Sequence, residues 1–262
     1  MKQQLYRFFI ELTNKQWSSK LIEKYTCSSL SKPMIRPFMK AYQINEKEME
    51  HPIEDYQTLH DFFIRTLSVE ARTINYSADH VVSPVDAKLA EAGIITQNRE
   101  FLVKGKTYSL QEMLGNKEKA RMYENGVFLV LYLSPAHYHR IHSPVDAKVV
   151  DRWILGRHSY PVNEHGLKYG KAPLSKNYRD ITELKHQHGQ MAVVKVGAMF
   201  VNAIERTHEN TFWKQGEEVA YFNFGSTVVL FFEKGTFQLD SNLVVPCEVK
   251  VGERLGALLN PN

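Results

Sequence analysis

Two textures divide the chain. Near its start Leu5, Phe8, Phe9 and Leu12 recur at i, i+3, i+4 and i+7, and after Trp17 the residues Leu21, Ile22 and Tyr25 resume an apolar stripe. That spacing returns to one side of an α-helix at each turn, so it predicts amphipathic helix. From about Val81 the apolar residues gather instead into short runs separated by Gly, Pro and Asn, at 127–133, 193–196, 221–224, 227–232 and 243–245. Runs of that length, rich in Val, Leu and Phe, predict strands. Between them, 157–180 is polar and holds Pro161, Gly166, Gly170 and Pro173. It predicts a long connection, a kind of segment that often carries function. The expected fold is α+β: a predominantly β body over 46–262, preceded by a leader of amphipathic helices over 1–45.

At 262 residues and 43% apolar, the chain can bury one substantial core. Charge distribution adds more than composition does. The net charge is +4, but residues 1–40 carry Lys2, Arg7, Lys15, Lys20, Lys24, Lys32, Arg36 and Lys40 against only Glu11 and Glu23, a local +6 that leaves the remainder at −2. A basic, aromatic-containing leader on a slightly acidic body points to an anionic surface as partner, with no sign of nucleic-acid binding. The leader's stripe could pack on the body or lie in a lipid interface; the Lys-rich flanks and Trp17 favour lipid. No run reaches the roughly 18 apolar residues of a bilayer-spanning helix, and the start lacks a secretory signal's unbroken apolar stretch. The expected place is therefore the cytoplasm. Cys27 and Cys247 stand far apart without metal-site spacing and read as reduced thiols.

One hexapeptide occurs twice. Ser83-Pro84-Val85-Asp86-Ala87-Lys88 returns letter for letter as Ser143-Pro144-Val145-Asp146-Ala147-Lys148. Each copy sets an Asp after a Pro-restricted turn and ahead of an apolar strand. A shared turn suffices to explain one copy, and a buried Asp beside a catalytic His would explain the other. Just before the second copy, His137, His139 and His142 lie between Pro135 and Pro144. Imidazoles bind metals, but no carboxylate or Cys in this segment completes a site, so no metal is expected. The prolines favour a bent loop through which His139 and His142 reach one pocket, with His137 structural. Further on, two apolar runs flank Gly225-Ser226-Thr227. A bulge or tight turn explains such a step. It also offers what autoproteolysis needs: a hydroxyl able to attack the preceding carbonyl, and no side chain on Gly225 to obstruct the tetrahedral centre.

Together these pieces resemble the phosphatidylserine decarboxylase family. They are Ser83-Pro84-Val85-Asp86, Tyr138-His139-Arg140 with His142 and Pro144, Val196-Gly197-Ala198-Met199, and Phe224-Gly225-Ser226-Thr227, in order over nearly the whole chain. The resemblance implies a proenzyme that cuts itself between Gly225 and Ser226 into a large chain, 1–225, and a small chain, 226–262. Ser226 then becomes a covalent pyruvoyl group, which takes the place of a diffusible cofactor. The implied enzyme is a carboxy-lyase that converts phosphatidylserine of an anionic membrane to phosphatidylethanolamine, bound peripherally at the cytoplasmic face, and a homodimer is expected. In the implied division of labour His142 takes the Ser226 proton, Asp86 orients the imidazole, and His139 manages protons during decarboxylation. The sequence departs from the family at Ala87, where Gly is frequent and a left-handed backbone would be strained. It departs again at Asn177-Tyr178-Arg179, where the family often has Asn-Glu-Arg. Two other classes share parts of the pattern: a serine hydrolase using Ser226, His142 and Asp86 on an external ester, and a non-enzymatic peripheral membrane module. Either would keep the chain intact.

Overall fold

The apolar runs pair edge to edge into one eight-stranded antiparallel sheet. A computed structural model describes residues 23–160, 162, 166, 167, 170, 172–198, 204–223 and 226–260. Across the sheet the strands follow the order Phe212–Trp213, Ala147–Leu155, Arg179–His186, Gly189–Gly197, Ser226–Phe232, Val127–Leu133, Ala87–Ile94 and Cys247–Val249. Ser226–Phe232 is central and buried along its whole length. Successive side chains of a strand point to opposite faces. Leu129, Leu131, Leu133, Val193, Val228, Leu230 and Phe232 therefore fill one core, while Phe128, Val130, Val194, Val196, Val229 and Phe231 fill another. By the same alternation Ser226 falls on the first face, in line with Val228.

Different partners cover the two faces. Residues of two three-stranded sheets join the first core: Ile204–Arg206, Glu218–Phe222 and Arg140–His142 form one sheet, and His80–Val82, Arg254–Leu258 and Phe237–Leu239 the other. The helices Leu110–Leu114 and Lys117–Met122 and the hairpin of Glu100–Val103 with Lys106–Ser109 pack on the second. Both helices start on side-chain caps, Ser109 accepting from the Glu112 N–H and Asn116 from those of Glu118 and Lys119. The fold is thus α+β with a mostly β body. A third, small core joins Ile35 and Ile44 to Met49, Ile53, Tyr56 and Phe62, so it spans the 45/46 boundary expected from the sequence.

The expected run 127–133 is the strand Val127–Leu133, and 193–196 and 227–232 lie inside longer strands. The run 243–245 is a correction. It is not a strand, and pairing begins only at Cys247. Pro246 has no N–H to give a ladder and restricts the backbone of the residue before it, which outweighs the local apolar composition. Of the leader's stripe only Tyr25 lies within the described residues, where it is exposed; Leu5, Phe8, Phe9, Leu12, Trp17, Leu21 and Ile22 lie outside them. Among the described residues no helix is long and apolar enough to cross a membrane.

Candidate active site

The two hexapeptides fold alike and lean on each other. In each, the Ser hydroxyl donates to the carbonyl two residues on, Ser83 to Val85 and Ser143 to Val145, both at 2.7 Å. They cross reciprocally: the Val82 N–H donates to Pro144 O at 3.0 Å and the His142 N–H to Pro84 O at 2.8 Å. Each Asp then caps a turn from far along the chain. Asp86 accepts from the Val251 N–H at 2.9 Å, and Asp146 from the Gln215 N–H at 2.7 Å. Those turns are themselves a repeat, Lys250-Val251-Gly252-Glu253 and Lys214-Gln215-Gly216-Glu217, with Gly252 at φ +85 and Gly216 at φ +82. Glycine takes this left-handed backbone without steric penalty. Ile74 packs against both glycines.

The crossing brings His142 from one copy toward Asp86 of the other. His142 Nδ1 lies 2.8 Å from Gly216 O, and since a carbonyl only accepts, Nδ1 carries the proton. Its Nε2 therefore holds the lone pair, which faces the Tyr138 hydroxyl at 3.3 Å. Burial pushes the His142 pKa down, opposed by the Gly216 carbonyl and by the charges of Glu218 and Asp86. The ring is thus kept neutral and able to act as a base. The expected contact from Asp86 to the imidazole is not made. Asp86 is engaged by Arg72, whose Nε donates to Oδ1 at 2.8 Å and whose Nη2 pairs with Oδ2, and Arg72 also pairs with Glu48 at 2.8 Å. A backbone carbonyl orients His142, and Asp86 acts on it only through its charge.

Ser226 opens the central strand at the end where its neighbours finish. Its register partners are Leu133 on one side and Gly197 on the other. The loop that follows Leu133 carries His137 and His139. Ser226 is fully buried, and its hydroxyl has no hydrogen-bond partner among the described residues. His139 is in the same condition: its Nδ1 donates to His137 O at 2.9 Å, Phe63 lies against its ring at 3.9 Å, and its buried Nε2 has no partner. Burial, and after it the charge of Arg65, holds the His139 pKa well below the usual imidazole range. Orphaned polar atoms in a native interior call for an explanation, and a reacting group is one. His137 accepts from the Ser134 N–H at 2.9 Å and faces Glu248 at 3.1 Å. Two residues from Gly197, the wholly buried Lys195 pairs with Asp180 at 2.8 Å, and Asp180 also takes Arg206 at 2.7 Å. Among the described residues no cluster of His, Cys, Asp and Glu could hold a metal ion.

This arrangement has relatives. The family model for phosphatidylserine decarboxylase matches residues 59–257. The phosphatidylserine decarboxylase proenzyme of Anoxybacillus flavithermus is 56% identical over 254 residues, covering 97% of this chain and 96% of its own. That of Geobacillus kaustophilus is 53% identical over 256 residues, 98% of this chain and 97% of its own, and that of Bacillus mycoides 49% over 255, 97% of each. The chain belongs to the phosphatidylserine decarboxylase family. It is accordingly a decarboxylase of the carboxy-lyase class.

Within that family the departure at Ala87 is benign. Ala87 begins the strand Ala87–Ile94, pairs with Val249, and is absent from the positive-φ residues, so no left-handed strain arises. Asn177 and Arg179 are tethers. Asn177 Nδ2 donates to Gly197 O at 2.9 Å, fixing the residue opposite Ser226, and Arg179 donates to the carbonyls of Glu112, Met113 and Asn177. Sequence reasoning missed Gly216 and Arg72, and gave Tyr138 no role beyond its place in the Tyr138-His139-Arg140 motif. The Lys-x-Gly-Glu repeat at 214–217 and 250–253 is a legible signal for Gly216, whereas Arg72 carries none.

Proposed function

We propose that the chain is made as a proenzyme, converts its own Ser226 to a pyruvoyl group, and then decarboxylates phosphatidylserine to phosphatidylethanolamine. The observation that carries this reading is the buried Ser226 hydroxyl, unpartnered among the described residues, opposite Leu133, from which the loop to His137 and His139 departs. In maturation His142 Nε2 takes the hydroxyl proton as Oγ bonds to the Gly225 carbonyl carbon. The Gly225–Ser226 C–N bond then breaks, the proton passes to the leaving amine, and an ester remains. Elimination removes the Cα proton of residue 226 to a base as the Cβ–Oγ bond breaks, leaving Gly225 as a carboxylate and residue 226 as an enamine. Water replaces its nitrogen as ammonia and leaves a ketone. Asp86 supports the imidazolium through its charge, and Gly216 O holds the ring throughout.

The residues present fit the pyruvoyl group: a serine whose hydroxyl is unpartnered among the described residues precedes it, and a strand fixes its backbone. When formed, the ketone supplies an electron sink for the bond to the departing carboxylate. His139 serves that second reaction. With Nδ1–H fixed on His137 O, its Nε2 is the lone-pair nitrogen, buried and neutral, suited to accept a proton from the substrate's ammonium group first and to return it to carbon once carbon dioxide has left. A peripheral seat at the cytoplasmic face of an anionic membrane is supported by the leader's local +6 charge and by Tyr25, Leu30, Met34 and Tyr42, which are exposed. A homodimer is part of the same proposal.

The test is His139→Ala, assayed on vesicles containing phosphatidylserine. The variant should fold, cut itself and carry pyruvoyl, yet release carbon dioxide at least about a hundredfold more slowly, the usual range for a lost acid–base group. Wild-type turnover by the cut, pyruvoyl-bearing variant would remove His139 from the reaction.

A further inference from the structure

Arg65 is buried, cationic and incompletely used. It is 4% exposed, and its Nη2 donates to Ala136 O and His137 O, each at 3.1 Å. Its Nε and Nη1 are shut from solvent and have no hydrogen-bond partner among the described residues. No carboxylate pairs with it among the described residues. Burial draws its pKa down only to about 10, so it stays charged at neutral pH. Holding two carbonyls needs one nitrogen, which leaves two donors unexplained. A buried cation without a counter-ion and buried N–H groups without acceptors are both unfavourable, unless something else supplies the negative charge.

The surroundings say what that something is. The Arg65 guanidinium lies 5.5 Å from the Phe62 ring centre, and Tyr56 meets the same ring edge-on at 5.5 Å. The Tyr56 hydroxyl is also buried without a partner, and the charge of Arg65 acts on it. Arg65 Nη2 and His139 Nδ1 share one acceptor, His137 O. Spare donors therefore sit next to the histidine of the decarboxylation step.

We propose that Arg65 and Tyr56 form the subsite that holds the phosphodiester of the lipid headgroup, an inference that rests on phosphatidylserine being the substrate. The substrate's other anion, its carboxylate, fits less well. Carbon dioxide departs neutral, so a cation on the carboxylate favours the ground state over the transition state and slows the step. The phosphodiester keeps its charge from substrate to product, and a cation there binds all states alike. The free nitrogens are closed off in the uncut chain, so lipid reaches them only in the processed enzyme.

The test uses the cut, pyruvoyl-bearing enzyme and its Arg65→Lys, Arg65→Gln and Tyr56→Phe variants in detergent micelles. Two quantities are read: kcat and KM on phosphatidylserine, and the inhibition constant of dihexanoyl phosphatidylethanolamine, a product that keeps the phosphodiester but has no carboxylate. Arg65→Gln should weaken product binding roughly tenfold or more, as expected for a lost charged hydrogen bond, and raise KM far more than it lowers kcat. Arg65→Lys, which keeps the charge without the planar fork, should fall between Arg65→Gln and wild type. Tyr56→Phe should weaken product binding about threefold. A fall in kcat with product binding unchanged would overturn the assignment in favour of the carboxylate or of a structural role. Should the Arg65 variants fail to cut or fold, Tyr56→Phe decides, and unchanged product binding in it refutes the subsite. A wild-type two-chain enzyme that releases no carbon dioxide from phosphatidylserine refutes the substrate assignment itself, a separate result.

Discussion

The two copies of Ser-Pro-Val-Asp-Ala-Lys share their letters, their Ser–carbonyl turn and their glycine-turn partner, and yet only one of their Asp residues faces the chemistry. The difference lies just outside the repeat. Where the second copy has His142, the first has Val82, and where Asp86 is buried against Arg72, Asp146 is partly exposed and takes the Tyr76 hydroxyl at 2.8 Å. A duplicated scaffold thus supplies two similar turns, and the side chains that set them apart stand at non-repeated positions. The reciprocal crossing matters because it places the Asp of the inert half near the His of the reactive half.

Making the halves more alike should break the function. His142→Val gives the reactive half the residue type of the inert one and should slow self-cleavage by about 100-fold or more, followed by denaturing gels over time. The same variant changes the response to acid. His142, with its pKa lowered by burial, contributes stability that is full above the unfolded value of about 6.5 and is lost as pH falls through the folded value. Compared with Ser226→Ala, which also stays uncut, His142→Val should therefore lose less stability below pH 6.5. The flattening amounts to about 1.4 kcal/mol per unit of pKa depression. Part of the acid sensitivity should remain in both, because burial also lowers His139, and His186 to about 4.

The carboxylates come next. Asp86→Asn keeps an acceptor for the Val251 N–H but strips the buried charge from Arg72 and from the surroundings of His142. It should slow cleavage at least tenfold and destabilise by about 3 kcal/mol, the low end for uncoupling a buried pair, since Glu48 still faces Arg72. Asp146→Asn should process normally and change urea stability by less than about 1 kcal/mol. Equal behaviour of the two would erase the distinction between the halves.

The glycine turns give the finest separation. Alanine at either position meets a left-handed backbone, worth about 1–2 kcal/mol. At Gly252 the added Cβ would also lie 2.5 Å from the Thr73 carbonyl, whereas at Gly216 it meets the side chain of Ile74 at 2.8 Å. Gly252→Ala should therefore be the less stable of the two in thermal melts. Gly216→Ala should be the slower to cleave, by several-fold, because Gly216 O fixes His142.

What the sequence revealed follows from where each signal lives. The strand 127–133 was legible because both its faces are covered, so nearly every residue is apolar, and Ser226 because a hydroxyl after glycine between two such strands is a chemical oddity. The orientation of His142 was hidden: its partner is a main-chain carbonyl, and a carbonyl has no letter. The partner of Asp86 was hidden for a related reason, since the repeat announced a buried carboxylate but not that Arg72, fourteen residues earlier, would claim it. Arg65 looked like any basic residue until its unpaired nitrogens were placed beside His139.

The most direct test is the intact mass of the denatured protein, wild type beside Ser226→Ala. Wild type should resolve into chains of residues 1–225 and 226–262, the smaller one lighter by one ammonia than a simple hydrolytic fragment, while Ser226→Ala remains a single chain. A wild-type chain that stays whole, a small chain that still begins with serine, or a Ser226→Ala variant that cuts normally would contradict it.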